Sequence, residues 1–277
     1  MTKTNSKTKK LIECAIMVAL ATVLSVIKIV EMPYGGSVTV ASMLPIVIIA
    51  YRTGTAWGLG SGLVYAVIQQ LLGLKSLSYF TTWQSILAII LLDYIIAFTV
   101  VGLGGVLRRI VKRQSYAICL GALGVSILRY ICHVISGATV WAGLSIPDSA
   151  ALIYSFGYNA TYMLPEAVIL IATAFYVGDC IDFRKNIPER IKRSNDCFGL
   201  LISISGLPLL IALITAVANI APTLQIMDGE NDGMFTLANL GEANWLLIGI
   251  VAVICVLVSA AVFVFALVSR KRHASIK

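Results

Sequence analysis

Four titratable residues of this 277-residue chain, Asp93, Arg129, His133 and Glu166, sit inside long apolar runs. A charged side chain at the centre of a bilayer costs roughly 2.5–3.5 kcal/mol on insertion scales, so such residues face protein or water and mark functional pathways. Asp93 lies in LLDYIIAF. It could form a structural ion pair with Arg129, or act as counter-ion for a cationic solute, and both readings stand. In LRYICHVISGATVW, residues His133, Gly137 and Trp141 recur at i, i+4 and i+8 and share one helical face. Glycine between an imidazole and an indole leaves a notch that a flat ring could enter, against the plainer reading of a packed core histidine. In IYSFGYNATYMLPE, Tyr154, Tyr158 and Tyr162 repeat at four-residue spacing around Asn159 and lead to Glu166. Tyrosine can be an interface anchor, which suits Tyr154, whereas a carboxamide inside a span needs hydrogen-bond partners. Aromatic faces beside one carboxylate are suited to a flat cation.

Positioning these groups takes membrane helices. The composition is 59% hydrophobic and 12% charged, about half the charged share of a soluble domain, and the mean hydropathy is +0.93. A span needs about 20 apolar residues. That ruler predicts eight, near 11–30, 38–52, 55–74, 83–107, 116–143, 152–178, 198–220 and 244–269, the second short and interrupted by Pro45. The net charge of +8 comes from short basic runs between apolar segments, which is the positive-inside pattern rather than a nucleic-acid footprint. Residues 1–10, 108–113, 184–193 and 270–273 are basic, while 31–37, 75–82, 144–151 and 221–243 hold one lysine together. Eight spans with both termini in the cytoplasm fit every loop. The basic start could open a signal peptide, but the run from Leu11 to Val30 is too long for one and has no A-x-A-type site.

At about 1.5 Å rise per residue, Asp93 lies ten residues below Trp83, and His133 eight below Trp141. Tyr154 and Asn159 begin the next helix from the outer side. One aromatic-walled pocket with a carboxylate, open to the outside, is expected. The six cysteines show no metal or disulfide spacing. The chain has no GxxxxGK[ST] phosphate loop, HExxH or GxSxG, so any ATP-driven step needs another polypeptide. Small-residue ladders at Gly54, Gly58 and Gly62, and at Ala15 and Ala19, mark close helix approach, either internal or against a partner.

The runs LLDYIIAF, LRYICHVISGATVW and IYSFGYNATYMLP resemble the thiamine-specific S component of energy-coupling-factor (ECF) vitamin transporters, as do AIMVALA, MPYGGSV and LPIVIIAYRTGTAWGLGSGL. The resemblance covers about residues 10–178. It implies an all-α membrane protein, a six-helix S-component bundle, in a bacterial cell membrane. Thiamine would be captured from outside, and uptake would be driven by a transmembrane coupling protein (T component) with two ATPase (A) subunits that use ATP. The S component would topple in the membrane to release its vitamin. No cofactor is implied in this chain, no nucleic-acid partner and no enzymatic activity. Binding roles map onto Asp93, Tyr94, His133, Trp141, Tyr154 and Asn159, with Gly137 forming the notch and Trp83 as a further pocket aromatic. Ala15 and Ala19 map onto the surface that meets the coupling protein.

The chain departs from the pattern in three places. Some members have glutamate at Asp93; some have a tryptophan in the first outer loop, where this chain has Gly35 and Gly36 and where Tyr34 would replace it. Two apolar helices after residue 180 have no counterpart. The expected organisation is a binding domain over 1–180, then a basic linker and two additional C-terminal transmembrane helices over 181–277. Alternatives are an S component for a related heterocycle such as a thiamine pyrimidine precursor, an intramembrane enzyme using Asp93 and His133 as acid and base, and a scaffold whose last two helices hold a partner.

Overall fold

The computed structural model describes residues 6–32, 36–74, 77, 82–142, 148–191, 198–224 and 238–275. The chain divides into two compact units, Met1–Lys192 and Arg193–Lys277.

The first unit is a bundle of six helices. Helix α1 spans Ser6–Val26 and stops where Ile27, Ile29 and Val30 begin a run of β-branched residues. Such residues favour extended chain, and Pro33 keeps the residue before it out of the helical region. The last residues of the expected first span therefore form strand β1 (Lys28–Glu31), paired antiparallel with β2 (Ser37–Thr39). Part of the expected second span is this β2 strand as well. What remains is α2 (Leu44–Thr53), with Pro45 in its first turn and nearly every residue buried. Proline is tolerated there because that N–H has no intrahelical partner. Ten residues rise about 15 Å, half a membrane, so α2 is a core helix rather than a span. Gly54, at φ +103°, turns the chain into α3 (Thr55–Leu72).

Helix α4 (Trp83–Arg109) changes its winding along its length. It is α-helical from Trp83 to Ala88, π-helical from Ile89 to Ile96, and 3-10 from Val100 to Arg109. Helices α5 (Gln114–Ala142) and α6 (Asp148–Cys180) follow and share the longest interface in the unit. A short hairpin, β3 (Ile181–Asp182) with β4 (Glu189–Arg190), completes the unit. The polar segment after residue 180, expected to begin a linker, thus belongs to the first unit.

The glycine ladder of α3 is internal packing. A Cβ on Gly58 would strike the Gly102 carbonyl of α4, and one on Gly62 the Thr99 carbonyl at 2.7 Å. Close backbone approach of this kind holds helices together where lipid supplies no hydrophobic drive. Below the polar residues lies the apolar core, built on Ile46, Val47, Tyr51, Tyr65, Val101, Ile118, Ala122, Leu170 and Ala174.

The second unit holds α7 (Phe198–Ile204), α8 (Leu207–Ile220) and α9 (Trp245–Ser275). The expected seventh span is broken after Ile204, and within this unit Ser259 of α9 donates to the Ser205 carbonyl in the break. Among the described residues, five stretches are long and apolar enough to cross a membrane: Trp83–Arg109, Gln114–Val140, Ala151–Cys180, Phe198–Ile220 and Trp245–Ser269. Helix α1, which opens on Lys7, Lys9, Lys10 and Glu13, and α3, which carries Gln69 and Gln70 in its last turn, are not among them. The architecture is all-α and multi-pass, a six-helix bundle followed by two further apolar helical segments.

Candidate functional site

One end of the bundle opens into a cavity of about 710 Å³. The β1–β2 hairpin, the C-terminal turns of α1 and α3, the π-helical part of α4, and α5 and α6 all contribute to its wall. Asp93, Tyr94, His133, Gly137 and Asn159, expected from the sequence to share a pocket, all line it.

Asp93 occupies the π-helical segment, where one extra residue in the turn re-aims a side chain. Its Oδ1 lies 2.8 Å from Nδ1 of His133, one helix over. The imidazole is buried and its Nε2 has no hydrogen-bond partner among the described residues. Asp93 therefore pairs with histidine, not with Arg129 as the structural alternative had it. Arg129, one turn earlier on α5, donates from Nη1 to Oε2 of Glu166 at 3.0 Å. Glu166 accepts a second bond, at 2.8 Å, on Oε1 from Thr39 of β2. The guanidinium lies 4.7 Å from the centre of the Phe98 ring.

Gly137 does form a notch, but a neighbouring helix fills part of it. A Cβ there would strike Oγ of Ser155, whose hydroxyl donates to the Val134 carbonyl at 2.8 Å. Asn159 is in the wall with its amide already engaged. Its Nδ2 bonds the His133 carbonyl at 3.2 Å and the Ser155 carbonyl at 2.8 Å, and its Oδ1 accepts from Tyr162 at 2.6 Å. The carboxamide thus locks α5 to α6 and aims Tyr162, rather than presenting spare groups to a solute. Tyr94 reaches the carbonyl of Gly73 on the opposite wall, at 3.5 Å.

Two expected residues lie elsewhere. Trp83 stands in the first turn of α4, is 69% exposed and lines no part of the cavity. Tyr154 is buried outside the wall, its ring 5.7 Å from Tyr158, which does line it. Tyr34 and the Trp141 side chain lie outside the described residues, although the backbone at 141 is helical. Ala15 and Ala19 are both exposed on one face of α1.

Tyr65, Gln69 and Phe98 also stand in the wall, and Tyr162 braces Asn159, none of which was expected from the sequence. Tyr65, Gln69 and Gly73 recur at i, i+4 and i+8, a face whose polar members were visible in the sequence.

A family model described as "Thiamine transporter protein" matches residues 11–180. The chain belongs to this family. It is a multi-pass membrane protein of the class that transports thiamine. Every cavity residue falls inside the matched segment, and α7–α9 fall outside it. The transporter is 36% identical over 171 residues to the "Thiamine transporter ThiT" of Bacillus subtilis (strain 168), covering 58% of this chain and 85% of that one. A solved structure of ThiT from Listeria monocytogenes aligns over 61% of this chain and 95% of that one, with a TM-score of 0.46 and 23% identity.

Proposed function

We propose that the cavity is the thiamine-binding site of an S component, which captures the vitamin from outside the cell for ATP-driven uptake. The observation that carries this reading is the charge balance of the wall. Among its described residues, Glu31 is paired with Lys28 at 2.6 Å and Glu166 with Arg129 at 3.0 Å. Asp93 has only His133, which carries charge only when protonated. A neutral imidazole leaves one negative charge facing the cavity. Thiamine brings one permanent positive charge on its thiazolium ring and a flat aminopyrimidine. The carboxylate balances the first, and the Tyr94, Phe98 and Tyr158 rings supply faces for both. His133 Nε2 serves as the polar handle for the pyrimidine, and Trp141, four residues beyond Gly137 on α5, is the candidate for a further stacking ring.

Transport needs partners. The exposed Ala15–Ala19 face of α1 is the surface for a T component, which in turn carries two A subunits that hydrolyse ATP. The basic end of the bundle, bearing Arg109, Lys112 and Arg190, faces the cytoplasm under the positive-inside rule. The cavity then opens outward, and both termini lie inside the bacterial cell. The first 180 residues or so form the binding domain.

Purified protein should quench its tryptophan fluorescence saturably on addition of thiamine. Trp141→Ala should weaken binding by about 1–2 kcal/mol through loss of a ring over the cation. No quench, together with no calorimetric heat at micromolar thiamine, would rule the reading out.

A further inference from the structure

Resting on the reading of the cavity as a thiamine site, we infer that Glu166 is a specificity-determining residue that never touches the vitamin: it holds the Arg129 charge away from Asp93 and so keeps the site selective for a cation. Arg129 and His133 are four residues apart on α5 and both face the cavity, so their Cβ atoms are about 6 Å apart. His133 is itself in contact with Asp93. An arginine side chain one turn away has the length to cover that gap. Were it released, the guanidinium would find Asp93 as the nearest carboxylate not already bound to a fixed cation. It would then take the place the thiazolium is to occupy.

Three contacts prevent this. Glu166 binds Nη1 of Arg129, Met43 Sδ lies 2.7 Å from the same nitrogen, and the Phe98 ring lies against the guanidinium. Glu166 is in turn held by Thr39, so each of its oxygens already accepts one hydrogen bond from the wall. It is 3% exposed. Of the other charged groups around the cavity, Lys28 and Glu31 neutralise each other on the hairpin. Tyr65, Tyr94, Tyr158 and Tyr162 are neutral phenols facing it from α3, α4 and α6. The selective charge at Asp93 therefore depends on Glu166 alone among the carboxylates.

The test compares thiamine with an analogue whose thiazolium is replaced by an uncharged thiophene of the same shape, using calorimetry on the full chain. For Glu166→Gln, the thiamine dissociation constant should rise about tenfold or more, while that of the neutral analogue moves less than about threefold, because only the cation competes with Arg129. In the double variant Arg129→Gln/Glu166→Gln, thiamine affinity should return to within about threefold of the unaltered protein. Parallel weakening of both ligands by Glu166→Gln, or a double variant that fails to recover, overturns the inference. Should Glu166→Gln not fold, Arg129→Gln decides instead. It leaves Glu166 as an additional negative charge and should favour thiamine over the analogue, and an equal loss of both ligands contradicts the inference. If the unaltered chain binds no thiamine, the cavity reading fails and the inference with it. If it binds thiamine and Asp93→Asn abolishes the preference for the cation, the cavity reading survives whatever Glu166→Gln does.

Discussion

The two ends of the first unit treat their charges in opposite ways. At the end away from the cavity, the charged side chains Arg52, Arg108, Arg113 and Asp179, together with Gln114, all have partners. Arg52 spans Glu13 at 3.0 Å and the carbonyls of Phe183 and Lys185. Arg108 takes the Tyr51 and Arg52 carbonyls, and Arg113 pairs with Asp179 at 2.9 Å. Gln114 donates to the Gly178 and Ile181 carbonyls and accepts from the Phe183 amide. These bonds tie the 181–190 hairpin to the helices. At the cavity end, by contrast, His133 Nε2 and Arg129 Nε are buried without partners among the described residues. Asp93 faces open space beside an imidazole. A buried polar atom left unsatisfied costs about 1–3 kcal/mol, and at the cavity end a bound solute can supply the missing partner. One end ties its charged side chains into the fold; the other leaves Asp93 and His133 Nε2 facing the cavity.

That contrast can be broken by substitution. The largest effect should come from Asp93→Asn, which removes the uncompensated charge while keeping the shape. Thiamine affinity should fall about 10- to 100-fold by calorimetry, or about 1.4–2.8 kcal/mol, with the thermal midpoint unchanged. Gln114→Ala should do the reverse. Three backbone groups lose their partner, so stability should fall about 1–3 kcal/mol in a denaturation series, with thiamine affinity intact. If Gln114→Ala weakens binding as strongly as Asp93→Asn, the two ends are not separate in function. The smallest effect belongs to Lys185→Ala. The Lys185–Glu189 pair is exposed on both sides, and its loss should change stability by less than about 0.5 kcal/mol. A larger drop would show that the hairpin depends on that pair rather than on Gln114 and Arg52.

How far the sequence predicts this arrangement depends on the kind of signal. Long apolar runs reveal the helices from Trp83 onward, because hydropathy over about 20 residues is a strong constraint. The β1–β2 hairpin was hidden, since Ile27, Ile29 and Val30 are as apolar as the helix before them. Shared helical faces bring His133, Gly137 and Asn159 to one wall, since one periodicity governs α5 and α6. The winding of α4 leaves no comparable mark: LLDYII reads as ordinary helix, yet its π turn decides where Asp93 points. Pairing was the least legible feature. Four titratable groups in hydrocarbon must find partners, but composition does not say which. Arg129 goes to Glu166 because Thr39 and Met43 hold that corner of the cavity floor, leaving Asp93 to His133.

A structure of the chain with thiamine bound tests the central claim most directly. The account predicts the thiazolium ring against Asp93 and the aminopyrimidine beside His133, with Arg129 still on Glu166. Thiamine found outside this cavity, or inside it with its cationic ring turned away from Asp93, would contradict it.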